Sequence, residues 1–231
     1  MTSLAPARRS AADPPALLSD RMLRALLVVA PALGVVELVL SPLAGTTTRA
    51  DLAAIVDHQA IFVVSVLVGV VATTLYIPAF VGLAARVAPA APKTARTGAA
   101  FVIVTFVGFM AVRAGQAVEL QTVRSRGLSQ SVGAQLVDKT FSGPIGAPML
   151  VMFLLGSILA LAFLAVACWR AGLPRVAVVA FGVFPVLDLL LPGRVGSIVA
   201  HVVLLAATTT FAVALGRPAT SPAPEVLPSA A

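Results

Sequence analysis

Apolar residues gather along this chain in long continuous blocks separated by short polar segments. Six blocks reach the roughly 20 residues that a helix needs to cross a bilayer. They are Met22–Leu43, Ile61–Ala85, Thr97–Leu120, Ile145–Trp169, Leu173–Leu191 and Gly196–Gly216. None alternates with a period of two, so the signature of a β-barrel is absent. The pattern predicts an all-α integral membrane protein, a six-helix transmembrane bundle spanning residues 21–216. The fifth block is the least regular, being punctuated by Pro174, Pro185 and Pro192. Pro31, Pro78, Pro148 and Pro185 fall inside blocks, and Pro31 and Pro148 are the expected kinks. Ser65–Gly69 and Gly156–Ala160 are small-residue spacings that allow helices to approach closely.

Composition supports the pattern. The 231 residues are 59% hydrophobic and 11% charged, where a soluble domain has about 25% charged residues. The net charge of +7 does not mark a nucleic-acid binder, because the basic residues sit between apolar blocks rather than on one surface. Their distribution sets the threading instead. With both termini inside, inner segments hold Arg8, Arg9, Arg21, Arg24, Arg86, Lys93, Arg96, Arg170, Arg175 and Arg217. Outer segments hold Arg49, Arg124, Arg126, Lys139 and Arg194. That asymmetry predicts N-in and C-in. Residues 1–20 and 217–231 read as disordered cytoplasmic tails, the first without the apolar core of a cleaved signal. Between the third and fourth blocks, "LSQSVGAQLVD" suits a short amphipathic helix on the outer surface. Cys168 is the only cysteine, which excludes an intrachain disulfide and reads as a buried small residue.

Three segments carry a resemblance: the third block's "MAVRAGQAVEL", the second's "LYIPAFVGLAARVAP", and "CWRAGLPRVAVVAFGVFPVLDLL" from the fourth to the fifth. Together they resemble the bacterial membrane family named Domain of Unknown Function 4386. The resemblance includes the basic hinge Trp169-Arg170-Ala171-Gly172-Leu173-Pro174-Arg175 and covers about Ile61 to Leu191. It implies a six-helix bundle in a bacterial plasma membrane, and it implies no activity.

The threading turns stray polar residues into a pattern. Glu37, Arg113, Glu119, Asp188 and His201 all fall in the outer half of their blocks. Charges there cost about 2.5–3.5 kcal/mol each on insertion scales, so they pair or face a cavity. Arg113, Gln116 and Glu119, three residues apart, share a helix face about 120° wide. The expected polar cluster is therefore Glu37, Arg113, Gln116, Glu119, Asp188 and His201, with Arg113–Glu37 as its leading pair. Such a cluster either holds helices in register or lines an outward pocket for a small ligand or lipid.

A metal-dependent enzyme is the alternative, with Asp57, His58, Asp188 and His201 as ligands of suitable type for zinc or iron. No HExxH or phosphate-binding loop supports it, and no motif requires a cofactor. A structural or accessory subunit is the third reading. An intramembrane serine protease would use Ser157 and His201. Residues 155–158 read Leu-Gly-Ser-Ile rather than Gly-x-Ser-Gly, and the two residues differ in depth by about 7 Å at 1.5 Å per residue.

Overall fold

The computed structural model describes residues 18–43, 47–125, 129–191 and 193–217. Most of both expected tails, together with Arg126 and Pro192, lies outside them. The described residues form eight α-helices and no strand: α1 Asp20–Leu40, α2 Thr48–Asp57, α3 Gln59–Val87, α4 Pro92–Arg124, α5 Gln130–Ser142, α6 Gly146–Arg170, α7 Arg175–Leu190 and α8 Gly193–Gly216. Five of these, α1, α3, α4, α6 and α8, are long and apolar enough to cross a membrane.

The fifth predicted block is a helix, α7, but it has only 16 residues. Its limits follow from local chemistry. At its start, α6 ends with Gly172 at φ 76°, a left-handed backbone that glycine adopts without strain. There Leu173 N–H donates to Cys168 O at 3.1 Å and Gly172 N–H to Trp169 O at 3.1 Å, the paired bonds of a Schellman cap. Pro174 then prevents the helix from continuing. At its end Leu191 is extended, as the residue before a proline prefers. The basic hinge is thus a helix stop, with the Arg175 guanidinium 5.2 Å from the centre of the Trp169 ring.

The expected amphipathic helix forms as α5, with Ser129 capping it by accepting from Val132 N–H. α2 was not expected. It is too short and polar to read as a span, and its signal is the Thr47 cap and the early Asp51. Pro148 is not a kink. It stands in the first turn of α6, where the missing N–H has no partner to lose. Pro31, Pro78 and Pro185 lie inside α1, α3 and α7.

Six helices close a ring in chain order: α1 packs on α3, α3 on α4, α4 on α6, α6 on α7, α7 on α8, and α8 back on α1. Neighbours run antiparallel. Gly98 meets Leu164, Gly156 meets Thr105, and Gly108 meets the backbone of Met149 and Phe153, so α4 and α6 touch along their length. The small-residue spacing on α6 is used here: a Cβ on Gly156 would stand 3.1 Å from Thr105 N.

Two apolar clusters fill the ends. The larger holds Leu27, Leu83, Leu164, Phe181 and Phe211 and joins all six ring helices. The smaller, Leu52, Ile55, Phe62 and Val137, lies under α2 and α5 at the opposite end. There α2 and α5 pack together, and Thr48 Oγ1 donates to Asp138 Oδ1 at 2.6 Å. The outside of the ring is apolar, including Leu67, Ile103, Leu155, Val179, Leu189 and Val213. Exposed aliphatics so distributed suit contact with lipid, whereas a water-facing surface would carry charge.

Candidate functional site

Between the two clusters the ring encloses a cavity of about 350 Å³ that every ring helix lines. Phe80, Phe106, Phe109, Phe153 and Phe184 form much of its wall. The polar residues enter from five helices: Glu37 on α1, Tyr76 on α3, Arg113 and Gln116 on α4, Asp188 on α7 and His201 on α8. Five of the six residues expected to cluster therefore line one cavity.

Arg113 is buried and Glu37 nearly so. The guanidinium meets the carboxylate through both terminal nitrogens: Nη1 donates to Glu37 Oε1 and Nη2 to Oε2, the latter at 2.7 Å. Nη1 also donates to Gln116 Oε1 at 2.9 Å. The Phe109 ring centre lies 4.4 Å from the guanidinium carbon, a favourable stacking of cation on π face. Such a bidentate pair orients both partners and neutralises both charges. Its closeness depends on Gly69. A Cβ there would collide with the Arg113 and Glu37 head groups. The Ser65–Gly69 spacing thus does more than let helices pack; it makes room for an ion pair.

On the other side, Asp188 and His201 come together from α7 and α8. His201 Nδ1 donates to Ser197 O at 2.9 Å and stands 3.8 Å from Asp188 Oδ1. The imidazole packs edge-on against Phe184, with ring centres 5.0 Å apart. The Nδ1–H is thus satisfied on its own helix, and Asp188 Oδ1 lies beyond hydrogen-bond distance of it.

Some polar groups are self-satisfied. Thr73, Thr105 and Ser157 line the cavity but donate to backbone carbonyls of their own helices, Gly69, Phe101 and Leu154. Others are not. Tyr76 Oη, Arg113 Nε and Asp188 Oδ1 are buried without a hydrogen-bond partner among the described residues. Buried polar atoms are nearly always paired, so open ones around a cavity are its available contacts. Tyr76 carried no signal in the sequence analysis. A lone tyrosine in the middle of a span is the feature that could have marked it, since its hydroxyl needs a partner when buried.

Glu119 is not part of this cavity. Each step of three residues falls about 60° short of a full turn, so six residues carry Glu119 about 120° around α4 from Arg113. It turns toward α2, within electrostatic range of Asp51. The four expected metal ligands are also separated. Asp57 and His58 are exposed at the junction of α2 and α3, and only Asp188 and His201 adjoin. Among the described residues no group of three or more His, Cys, Asp or Glu is placed to hold a metal ion.

At the rim, Arg194 ties α8 to α1. Its Nε donates to Leu38 O at 3.0 Å and its Nη2 to Val39 O. These carbonyls lie in the last turn of α1, where no helical donor remains and the helix dipole favours a cation.

No family model matches the sequence, and neither a curated protein nor a solved structure is found that does.

Proposed function

We propose that the chain is a six-span protein of a bacterial plasma membrane, with both termini cytoplasmic, which binds or moves a small ligand or lipid through the cavity at Arg113, Glu37, Tyr76, Asp188 and His201. In this reading α7 is the sixth span. It closes the ring between α6 and α8, and Val176, Val179, Val183, Val186 and Leu189 give it an exposed apolar face. The threading puts Arg21, Arg24, Arg86, Lys93, Arg96, Arg170, Arg175 and Arg217 at the cytoplasmic end. Arg49, Arg124, Lys139 and Arg194 then lie outside, as do α2 and α5. Membership of the family that the third span and the hinge resemble belongs to the same reading.

The observation that carries a binding role is the unpartnered buried set, Tyr76 Oη, Arg113 Nε and Asp188 Oδ1, around a mostly apolar cavity. Native mass spectrometry of the protein from a lipid nanodisc tests it. The expected result is a bound small molecule that is lost when Ser157→Phe fills the cavity. An unliganded wild type, with residue 157 as cysteine inert to small thiol reagents in a Cys168→Ala background, would reject it. A cysteine at Ser129 should react with an impermeant reagent from outside, and one at Ala90 should not; the reverse would invert the threading.

The closed Arg113–Glu37–Gln116 network favours a second reading, an accessory subunit whose polar residues only hold the helices in register.

A further inference from the structure

We infer that the cavity takes a small organic monocation, an apolar body carrying one quaternary or protonated amine, whose charge is met by Asp188. This rests on the binding role proposed above and names the chemistry of its ligand.

The inference follows from which charges in the cavity are already answered. Four ionisable side chains besides Tyr76 line it: Glu37, Arg113, Asp188 and His201. Glu37 and Arg113 cancel one another through two hydrogen bonds. His201 uses its Nδ1–H on Ser197 O, and that nitrogen stands 3.8 Å from Asp188 Oδ1, too far for a hydrogen bond. Asp188 is left as the one carboxylate among the described residues that line the cavity with an oxygen that no hydrogen bond answers. Its Oδ1 is buried without a hydrogen-bond partner, while its side chain is 33% exposed, so the carboxylate can be reached.

The remaining wall fits a cation better than an anion or a sugar. The rings of Phe80, Phe106, Phe153 and Phe184 offer negative π faces and few hydrogen bonds. Three of the hydroxyls that could serve a polyol, on Thr73, Thr105 and Ser157, already donate to backbone, which leaves Ser197 and Tyr76. An anion would need a cation free to receive it, and the one guanidinium among the described residues that line the cavity has its charge met by Glu37, with only Nε left open. Tyr76 Oη is buried and open on the same cavity. Its two lone pairs can accept from an N–H of a protonated amine, or face a quaternary group as a second negative dipole.

The test is direct binding to the purified full chain in detergent, using benzyltrimethylammonium, its neutral isostere neopentylbenzene and the anion phenylacetate. The first two have nearly the same shape and differ in charge. The cation should bind wild type more tightly than the isostere. Asp188→Asn should weaken the cation by about tenfold or more and leave the isostere unchanged, and Asp188→Glu should restore part of the loss. Unaltered binding of the isostere serves as the check that the variants are folded. Equal binding of cation and isostere, unmoved by Asp188→Asn, would overturn the cation while leaving the binding cavity intact. Preference for phenylacetate, abolished by Arg113→Gln, would overturn it in favour of an anion. Failure of all three compounds to bind folded wild type would count against this ligand class. Only an empty cavity in the nanodisc measurement would count against the binding role itself.

Discussion

The two halves of the ring are built from the same six helices and hold together differently. Toward the N-terminus of α1, the core is Leu, Ala, Val and Phe, with Leu27, Leu83, Leu164, Phe181 and Phe211 fully or almost fully buried. Phe181 meets Phe80 and Phe211 edge-to-face there, with ring centres 5.4 Å apart in both pairs. Toward the other end the ring is propped open by Arg113, Glu37, Asp188 and His201. In lipid, apolar packing has little hydrophobic drive, because the tails outside are as apolar as the core. The first half is therefore held by close contact, and the second by a few directed bonds. Losing one contact in the first half leaves its neighbours to share the loss. Losing one partner in the second leaves an unanswered charge.

Substitutions can break or sharpen that contrast. Arg113→Leu alone should have the largest effect, about 3–5 kcal/mol, because it strands Glu37. Arg113→Leu with Glu37→Leu should be much less harmful than the sum of the singles, measured by reversible unfolding in mixed detergent. Additive losses would mean that the pair contributes nothing specific. Leu164→Ala in the apolar half should cost less, about 1–3 kcal/mol, the packing part of a core truncation without its full transfer part. A Leu164→Ala loss larger than that of Arg113→Leu would reverse the comparison. Two glycines offer a finer test. Gly69→Ala drives a methyl into the Arg113–Glu37 head groups and should cost about 1–3 kcal/mol as overpacking. Gly182→Ala meets only the Ala165 methyl, 3.1 Å away. It should be close to neutral, since alanine regains about 0.5–1 kcal/mol of helix propensity. Thr48→Val, which removes an exposed bond between α2 and α5, should have the smallest effect, within about 1 kcal/mol.

Hydropathy made the long helices legible, because a 20-residue apolar run has few other uses. It overstated the length of α7, where apolarity continues through Leu173 and Leu191 but the flanking prolines limit the helix to 16 residues. α2 escaped because ten residues of mixed polarity carry only a cap as a signal. The cavity was legible in part. Charge in lipid must be answered, so Arg113 and Glu37 could be matched from depth alone, and Asp188 and His201 placed nearby. Rotation about a helix axis was harder. Glu119 lay at the edge of the expected face and turns to α2. Depth alone could not bring Asp57 and His58 to Asp188, since depth says nothing about position around the ring. Tyr76 was missed for a related reason: its hydroxyl is buried by the packing of α3 among the other helices of the ring, beside Gly34 of α1 and near His201 of α8.

The shortness of α7 has a consequence for the membrane around it. At 1.5 Å per residue its 16 residues reach about 24 Å, against roughly 30 Å of hydrocarbon. In the six-span reading a bilayer accommodates such a mismatch by thinning locally. Asp188 lies two residues from the end of α7. Thinning beside that helix would draw lipid head groups and water down to the Asp188 carboxylate, shortening the hydrocarbon path between it and the aqueous phase. The cavity would then be entered sideways, through a dimple that the protein itself imposes on the leaflet.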